Sequence, residues 1–221
     1  MLREYSDTLR NTLDLRSPAL HDLRMHLRVT FVAAARSSAL LAERFEDDRP
    51  LDQAGWEEAQ RAAAGLLPLA AAELRYCAPT PRSRATGDVL GYAPLVQLAL
   101  RDCDMGRWRG FTLGEAMARE PEAVDSWLSD PRSTSHGGES LLTFIARVGA
   151  WLDTRPGEDG GSIVAVAEPS VVRAALVYAL KAPPSTYWNI DVRPLSAITV
   201  TGRAGRWNLR VDGVPAQVGR A

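Results

Sequence analysis

Two segments of this chain end a buried apolar run directly on residues that can do chemistry. "VTFVAAARSSA" (residues 29–39) runs into Arg36, Ser37 and Ser38, and "GSIVAVAE" (161–168) ends on Glu168. A carboxylate at the tip of a buried strand can serve as a general acid or base. It can equally act as the negative charge that favours the start of a following helix, worth about 0.3–1 kcal/mol. Both readings of Glu168 stand at this point. Ser37 can hydrogen-bond a ligand or cap a turn, and nothing local supplies the base that a serine nucleophile needs. Of the three histidines, His21, His26 and His136, only His136, in "STSHGGES", falls near the expected mouth. It reads either as an acid or base or as a loop histidine with no catalytic duty. Cys77 and Cys103 have neither zinc nor redox spacing and read as buried free thiols. No metal-ligand pattern and no cofactor motif is present in the sequence.

Positioning such groups takes a sheet with helices on both faces. "VTFVAAA" and "GSIVAVAE" read as fully buried strands, and "PSVVRAALVYAL" follows the second as a helix with Pro169 in its first turn. "LDQAGWEEAQRAAAGLLPLAAAEL" predicts a helix capped by Asp52 and interrupted near Gly65 and Pro68. "TPRSRATGDVLG" predicts a helix start, and "EPEAVDSWL" and "ESLLTFIARVGAWLDT" predict amphipathic helices. "LSAITVTGRAGRWNLRVDG" alternates about a glycine turn and predicts a terminal hairpin. "RPGEDGG" at 155–161 reads as a mobile loop. Strand and helix alternate, which predicts a three-layer α/β/α sandwich with a mainly parallel sheet. Residues 1–28, with Leu2, Tyr5, Leu9 and Leu13 and then Leu20, Leu23 and Leu27 at helical spacing, predict a helical extension ahead of a domain spanning 29–221. That extension packs on its own domain, covers the site or forms a homodimer arm.

Composition narrows the partners. At 221 residues and a formal net charge of −1, the chain has no global basic field for nucleic acid or an anionic membrane. No run approaches the ~18 apolar residues of a membrane span, and "MLREYSDTLR" lacks the apolar core of a signal peptide, so the cytoplasm is expected. A small-molecule ligand is the expected partner, with a protein partner left open. The cations are arginines except Lys181, the single lysine.

In sheets of this kind ligands sit beyond the carboxyl ends of the strands, which singles out residues 33–39 and 167–171. The order of "VTFVAAARSS", "PLDQAGWEEAQRAA", "APTPRSRATGDVLG", "LRDCDMGRWRG", "GGES…FIARVGAWLD" and "IVAVAEPSVVRAAL" resembles the histidine phosphatase superfamily, the phosphoglycerate-mutase-like fold, over residues 28–210. The resemblance implies a nucleophilic histidine in an Arg-His-Gly pattern after the first strand, where this chain has Ala33, Ala34 and Ala35. It implies a second histidine after the later strand, where the chain reads Ala167, Glu168 and Pro169. A methyl group cannot attack phosphorus. A carboxylate about 4 Å from a phosphoryl charge costs roughly 4 kcal/mol at an effective dielectric near 20, or about three orders of magnitude in affinity.

Other elements match. By resemblance Arg82 is the phosphate-binding arginine, Asp102 stands where the acidic proton donor lies, and Gly137-Gly138-Glu139-Ser140 lines or caps the pocket. Arg36 lies where it could partly replace the motif arginine lost at Ala33. Two function classes follow, and a glutamate in place of the family's histidine, next to the retained Arg82 and Asp102, points to the first. In one, the pocket is rebuilt for cofactor-free isomerisation, elimination, cyclisation or hydrolysis of a small anionic or carbonyl-bearing metabolite. Glu168, Asp102 and His136 then act as acids or bases, and Arg82, Arg36, Ser37, Glu139 and Ser140 hold the substrate. In the other, the chain is a pseudophosphatase that binds a ligand or protein and regulates it, with Arg82 and Arg36 merely neutralising Glu168 and Asp102.

Overall fold

The computed structural model describes residues 26–36, 44–45, 48–155 and 160–211. The helices expected at residues 1–25, Ser37 and Ser38, and positions 156–159 of the 155–161 loop lie outside the described residues. Strand β1 spans Leu27–Ala33, β2 Leu74–Cys77, β3 Leu95–Val96, β4 Gly161–Ala167, β5 Ala197–Arg203 and β6 Arg206–Arg210. Their order across the sheet is β3-β2-β4-β1-β5-β6. The first four strands are parallel, and the terminal hairpin β5–β6 adds antiparallel to β1. Helices α1 (Gln53–Leu66), α2 (Pro81–Val89), α3 (Leu113–Arg119), α4 (Pro121–Ser129), α5 (Leu141–Asp153) and α6 (Pro169–Ala179) connect them.

Strand alternation separates two cores. Val29, Phe31 and Ala33 of β1, with Ile163, Ala165 and Ala167 of β4, face the larger core with α5 and α6. Val32, Val164, Val166 and Cys77 face the other side, with Leu90, Tyr92 and the apolar stripe of α1 through Ala63 and Leu66. This is the expected sandwich, and it explains why β1 and β4 read as unbroken apolar runs: both of their faces are covered. At the contact of α5 and α6, Gly149 lies flat against the Tyr178 ring, where an added Cβ would come within 2.1 Å.

The local signals behave as expected at most termini. Asp52 caps α1 by accepting the Gly55 N–H at 2.8 Å, and the helix gives way to a 3₁₀ turn at Leu67–Ala71 around Pro68. Several elements differ. Leu27, grouped with the helical extension, is the first residue of β1, because it pairs with Gly161 on one side and Gly202 on the other. Leu74, placed at the end of the long helix, opens β2 instead. Helix α3 was not anticipated, although Thr112 and Glu115 form a capping box there.

Register places the site. Ala33 and Ala167 are direct partners at the ends of parallel neighbours, so the chain leaves both strands at one edge, where the N-termini of α2 and α6 also converge.

Candidate functional site

Glu168 is the N-cap residue of α6, yet its side chain makes no capping bond to that helix. It turns instead to the start of α2. There the Thr80 hydroxyl donates to Oε1 at 2.7 Å, the Ser83 hydroxyl to Oε1 at 3.2 Å, and Arg82 Nη2 to Oε2 at 2.7 Å. Local sequence builds this nest. Pro81 opens α2, Thr80 caps it by accepting the Ser83 N–H, and the first turn then points Arg82 and Ser83 toward β4. Glu168 is 3% exposed. Both of its oxygens are occupied, one by a charge-assisted bond. Three protein donors thus fill three of the roughly four acceptor positions of the carboxylate.

Across from this nest lie Ala33, Ala34 and Ala35, all buried. Their backbone is satisfied: the Ala34 N–H bonds Ala167 O at 2.8 Å and the Ala35 N–H bonds the Thr86 hydroxyl at 3.1 Å. Only methyl groups are presented there. Arg36, the next residue, has a 70% exposed side chain that approaches Glu58 of α1 at 3.8 Å. The expected Arg36–Arg82 clamp is therefore not formed; the backbone of Arg36 packs against Gly55 at the start of α1, and its side chain leaves outward.

Asp102 joins the site through α6. Its Oδ1 accepts the Ser170 hydroxyl at 2.6 Å and the Cys103 N–H at 2.8 Å. Ser170 sits two residues beyond Glu168. One turn further on, the Arg173 guanidinium lies 5.9 Å from the Tyr187 ring centre. Burial pushes the Tyr187 hydroxyl far above its ordinary value; nearby Asp102 adds to this and Arg173 opposes it. Arg173 is half-buried on α6, beside Tyr187.

Three expected site residues have other duties. Glu139 is held by Arg147, whose Nε and Nη2 donate to its two oxygens at 2.9 and 2.7 Å. Arg147 also donates to the carbonyls of Ala99, Arg101 and Asp102. The pair therefore pins the segment carrying Asp102. Ser140 caps α5, accepting the Thr143 N–H at 3.1 Å. His136 is fully buried, packed on Trp108 with ring centres 5.2 Å apart and near Trp127, and its Nδ1 accepts the Gly138 N–H. Trp108 is likewise fully buried. Cys77 and Cys103 are free and buried, and burial raises the Cys77 thiol to about 11 against a weaker opposing pull from Arg84.

His136 supplies a pH prediction. Burial lowers its pKa below the ordinary value; Asp104 opposes this weakly and Arg107 adds to it. Between the folded and unfolded pKa the unfolded chain binds more protons, so this contribution is present above an unfolded pKa of about 6.5 and is lost as pH falls through the folded value. Thermal melts are expected to show a loss of stability below neutrality that is smaller in His136→Gln, which keeps an acceptor for Gly138.

Sequence reasoning missed Thr80, Ser83, Ser170, Arg147 and Tyr187. Thr80 and Ser83 flank Arg82 in "TPRSRATG" and were within reach, since a buried carboxylate requires donors. The others carry no local signal.

Beyond the strand ends this parallel-centred α/β/α sandwich gathers Arg82 with Glu168, and Asp102 with Ser170. The chain belongs to the histidine phosphatase superfamily (branch 1), whose model matches residues 42–213. A bifunctional protein of Mycobacterium tuberculosis is 28% identical over 153 residues, 66% of this chain and 42% of the relative. A glucosyl-3-phosphoglycerate phosphatase of Mycolicibacterium vanbaalenii is 33% identical over 105 residues, 45% of this chain and 46% of the relative. The matched segments thus span less than half the length of these relatives. Among solved structures, a mycobacterial glucosyl-3-phosphoglycerate phosphatase superposes with a TM-score of 0.69 at 24% identity, covering 84% of this chain and 98% of the other. The alpha-ribazole phosphatase of Shigella flexneri gives 0.70 at 18% identity, covering 84% and 95%. At these identities the likeness is one of fold. Among the described residues no helix is long and apolar enough to cross a membrane.

Proposed function

We propose that this chain is a pseudophosphatase: it keeps the histidine phosphatase fold without phosphohistidine chemistry and acts by binding a ligand or a protein partner. The observation that carries this reading is the 2.7 Å bond from Arg82 Nη2 to Glu168 Oε2 inside a buried nest. The arginine that resemblance assigns to phosphate binding is spent on a carboxylate of the chain itself. Buried Ala33, Ala34 and Ala35 offer no nucleophile beside it. The alternative, Glu168 as a working acid or base, is disfavoured because three protein donors already occupy its oxygens. Asp102 and His136 do not complete an acid–base set with it: the carboxylate of Asp102 is engaged by Ser170, and His136 is packed in an aromatic cluster.

The test is turnover of phosphomonoesters by the purified chain, with p-nitrophenyl phosphate and sugar phosphates as substrates. No release of phosphate above the uncatalysed rate is expected at any pH from acid to neutral. Turnover that disappears in Arg82→Met would sink the proposal.

A further inference from the structure

A second concavity lies near the far end of α6 from Glu168. A polar groove of about 560 Å³ is lined by His26, Lys181, Arg203, Arg206, Trp207 and Asn208, among others. His26 precedes the first residue of β1, and Lys181 lies just past the end of α6, whose start carries Glu168. The eleven residues of α6, at 1.5 Å per residue, put roughly 16 Å between the two ends.

The charges in this groove are concentrated and poorly offset. Arg203 and Arg206 are direct cross-strand partners at the hairpin end, an arrangement in which like charges oppose pairing. Among the described residues, the side chains of Lys181, Arg203 and Arg206 make no hydrogen bond or ion pair. The nearby carboxylate is Asp153, which Lys181 influences through space. Asp153 is already engaged, accepting from the Tyr178 hydroxyl at 2.6 Å, the Gly205 N–H at 2.9 Å and Trp207 Nε1 at 2.8 Å. Burial pulls its pKa up, and these three bonds with Lys181 outweigh burial and hold it below the ordinary value. Asp153 thus pins the indole wall and the hairpin turn, and among the described residues the two arginines have no counterion. Edge-strand charge alone accounts for one cation facing solvent. It does not account for three cations converging on one concavity in a chain of net charge −1.

We infer that this groove is an anion site for a small molecule bearing a diphosphate or comparably multiple phosphate charge. The volume falls within the range of small-molecule sites. Guanidinium groups on two paired residues suit phosphate oxygens in forked geometry, and Asn208 and His26 add polar groups to the lining. The site is separate from the Glu168–Arg82 nest and stands whether or not that nest is catalytic.

The single lysine of the chain provides the reporter. Lys181 acylation by an amine-reactive ester is followed by peptide mass spectrometry, with and without inorganic pyrophosphate at matched ionic strength. Pyrophosphate is expected to slow labelling saturably, by about tenfold at excess ligand. The protection is expected to vanish in Arg203→Ser/Arg206→Ser and to persist in Arg61→Ser/Arg132→Ser, which removes equal charge elsewhere on the surface. Labelling of the wild type unaffected by pyrophosphate, slowed equally by chloride, or protected as well in the Arg203/Arg206 variant would overturn the inference.

Discussion

Glu168→Ala is expected to cost about 3–5 kcal/mol of folding stability, because removing one member of a buried pair leaves the other charge uncompensated. Arg82 has a side chain only 14% exposed and is held at 2.7 Å by Glu168. Thr80 and Ser83 would lose their acceptor at the same time. For a domain of this size the fall in Tm is about 6–20 °C. The double variant Glu168→Leu/Arg82→Met is expected to regain most of the loss, since apolar replacement of a whole buried pair is often neutral. Chemical denaturation of the two single variants and the double variant measures the coupling directly. Glu168→Ala as stable as wild type would mean that the pair does not hold the fold together, and would return Glu168 to the ligand.

Arg147→Ala is expected to be comparably severe, again about 3–5 kcal/mol, for a related reason. It strands Glu139, whose side chain is 7% exposed, and removes the donor to three carbonyls between Ala99 and Asp102. Lysine is not expected to rescue it, because a single ammonium cannot reproduce the fork that grips both Glu139 oxygens. Hydrogen exchange should show the amides around Asp102 opening first. Wild-type protection there in Arg147→Ala would refute the pinning role.

The fold was legible because its central strands are covered on both faces. "VTFVAAA" and "GSIVAVA" read as buried strands, and the turn chemistry around Asp52, Thr80 and Pro169 marked where helices begin. Short strands carry too little pattern: β3 is two residues long, and β2 follows an alanine-rich helix whose composition masks the change of period. The site was legible in its positions and not in its partnerships. Glu168 and Arg82 are 86 residues apart in the chain, and only the meeting of β4 with the start of α2 makes them a pair. His136 and Glu139 lie in a segment whose resemblance points to a pocket. The aromatic side chains of Trp108 and Trp127 enclose the first, and Arg147, eight residues away on α5, claims the second. Arg36 follows a strand end as a ligand-binding residue would, yet its packing against α1 sends the side chain to Glu58.

The central claim is that Arg82 is committed to Glu168 and unavailable to phosphate. The direct measurement is the Nε–H resonance of the Arg82 guanidinium, assigned by its loss in Arg82→Lys, followed by NMR during titration with inorganic phosphate. The account predicts a resonance that does not move through millimolar phosphate in the wild type. A saturable shift of that resonance would show the arginine free to take phosphate, and would contradict the account.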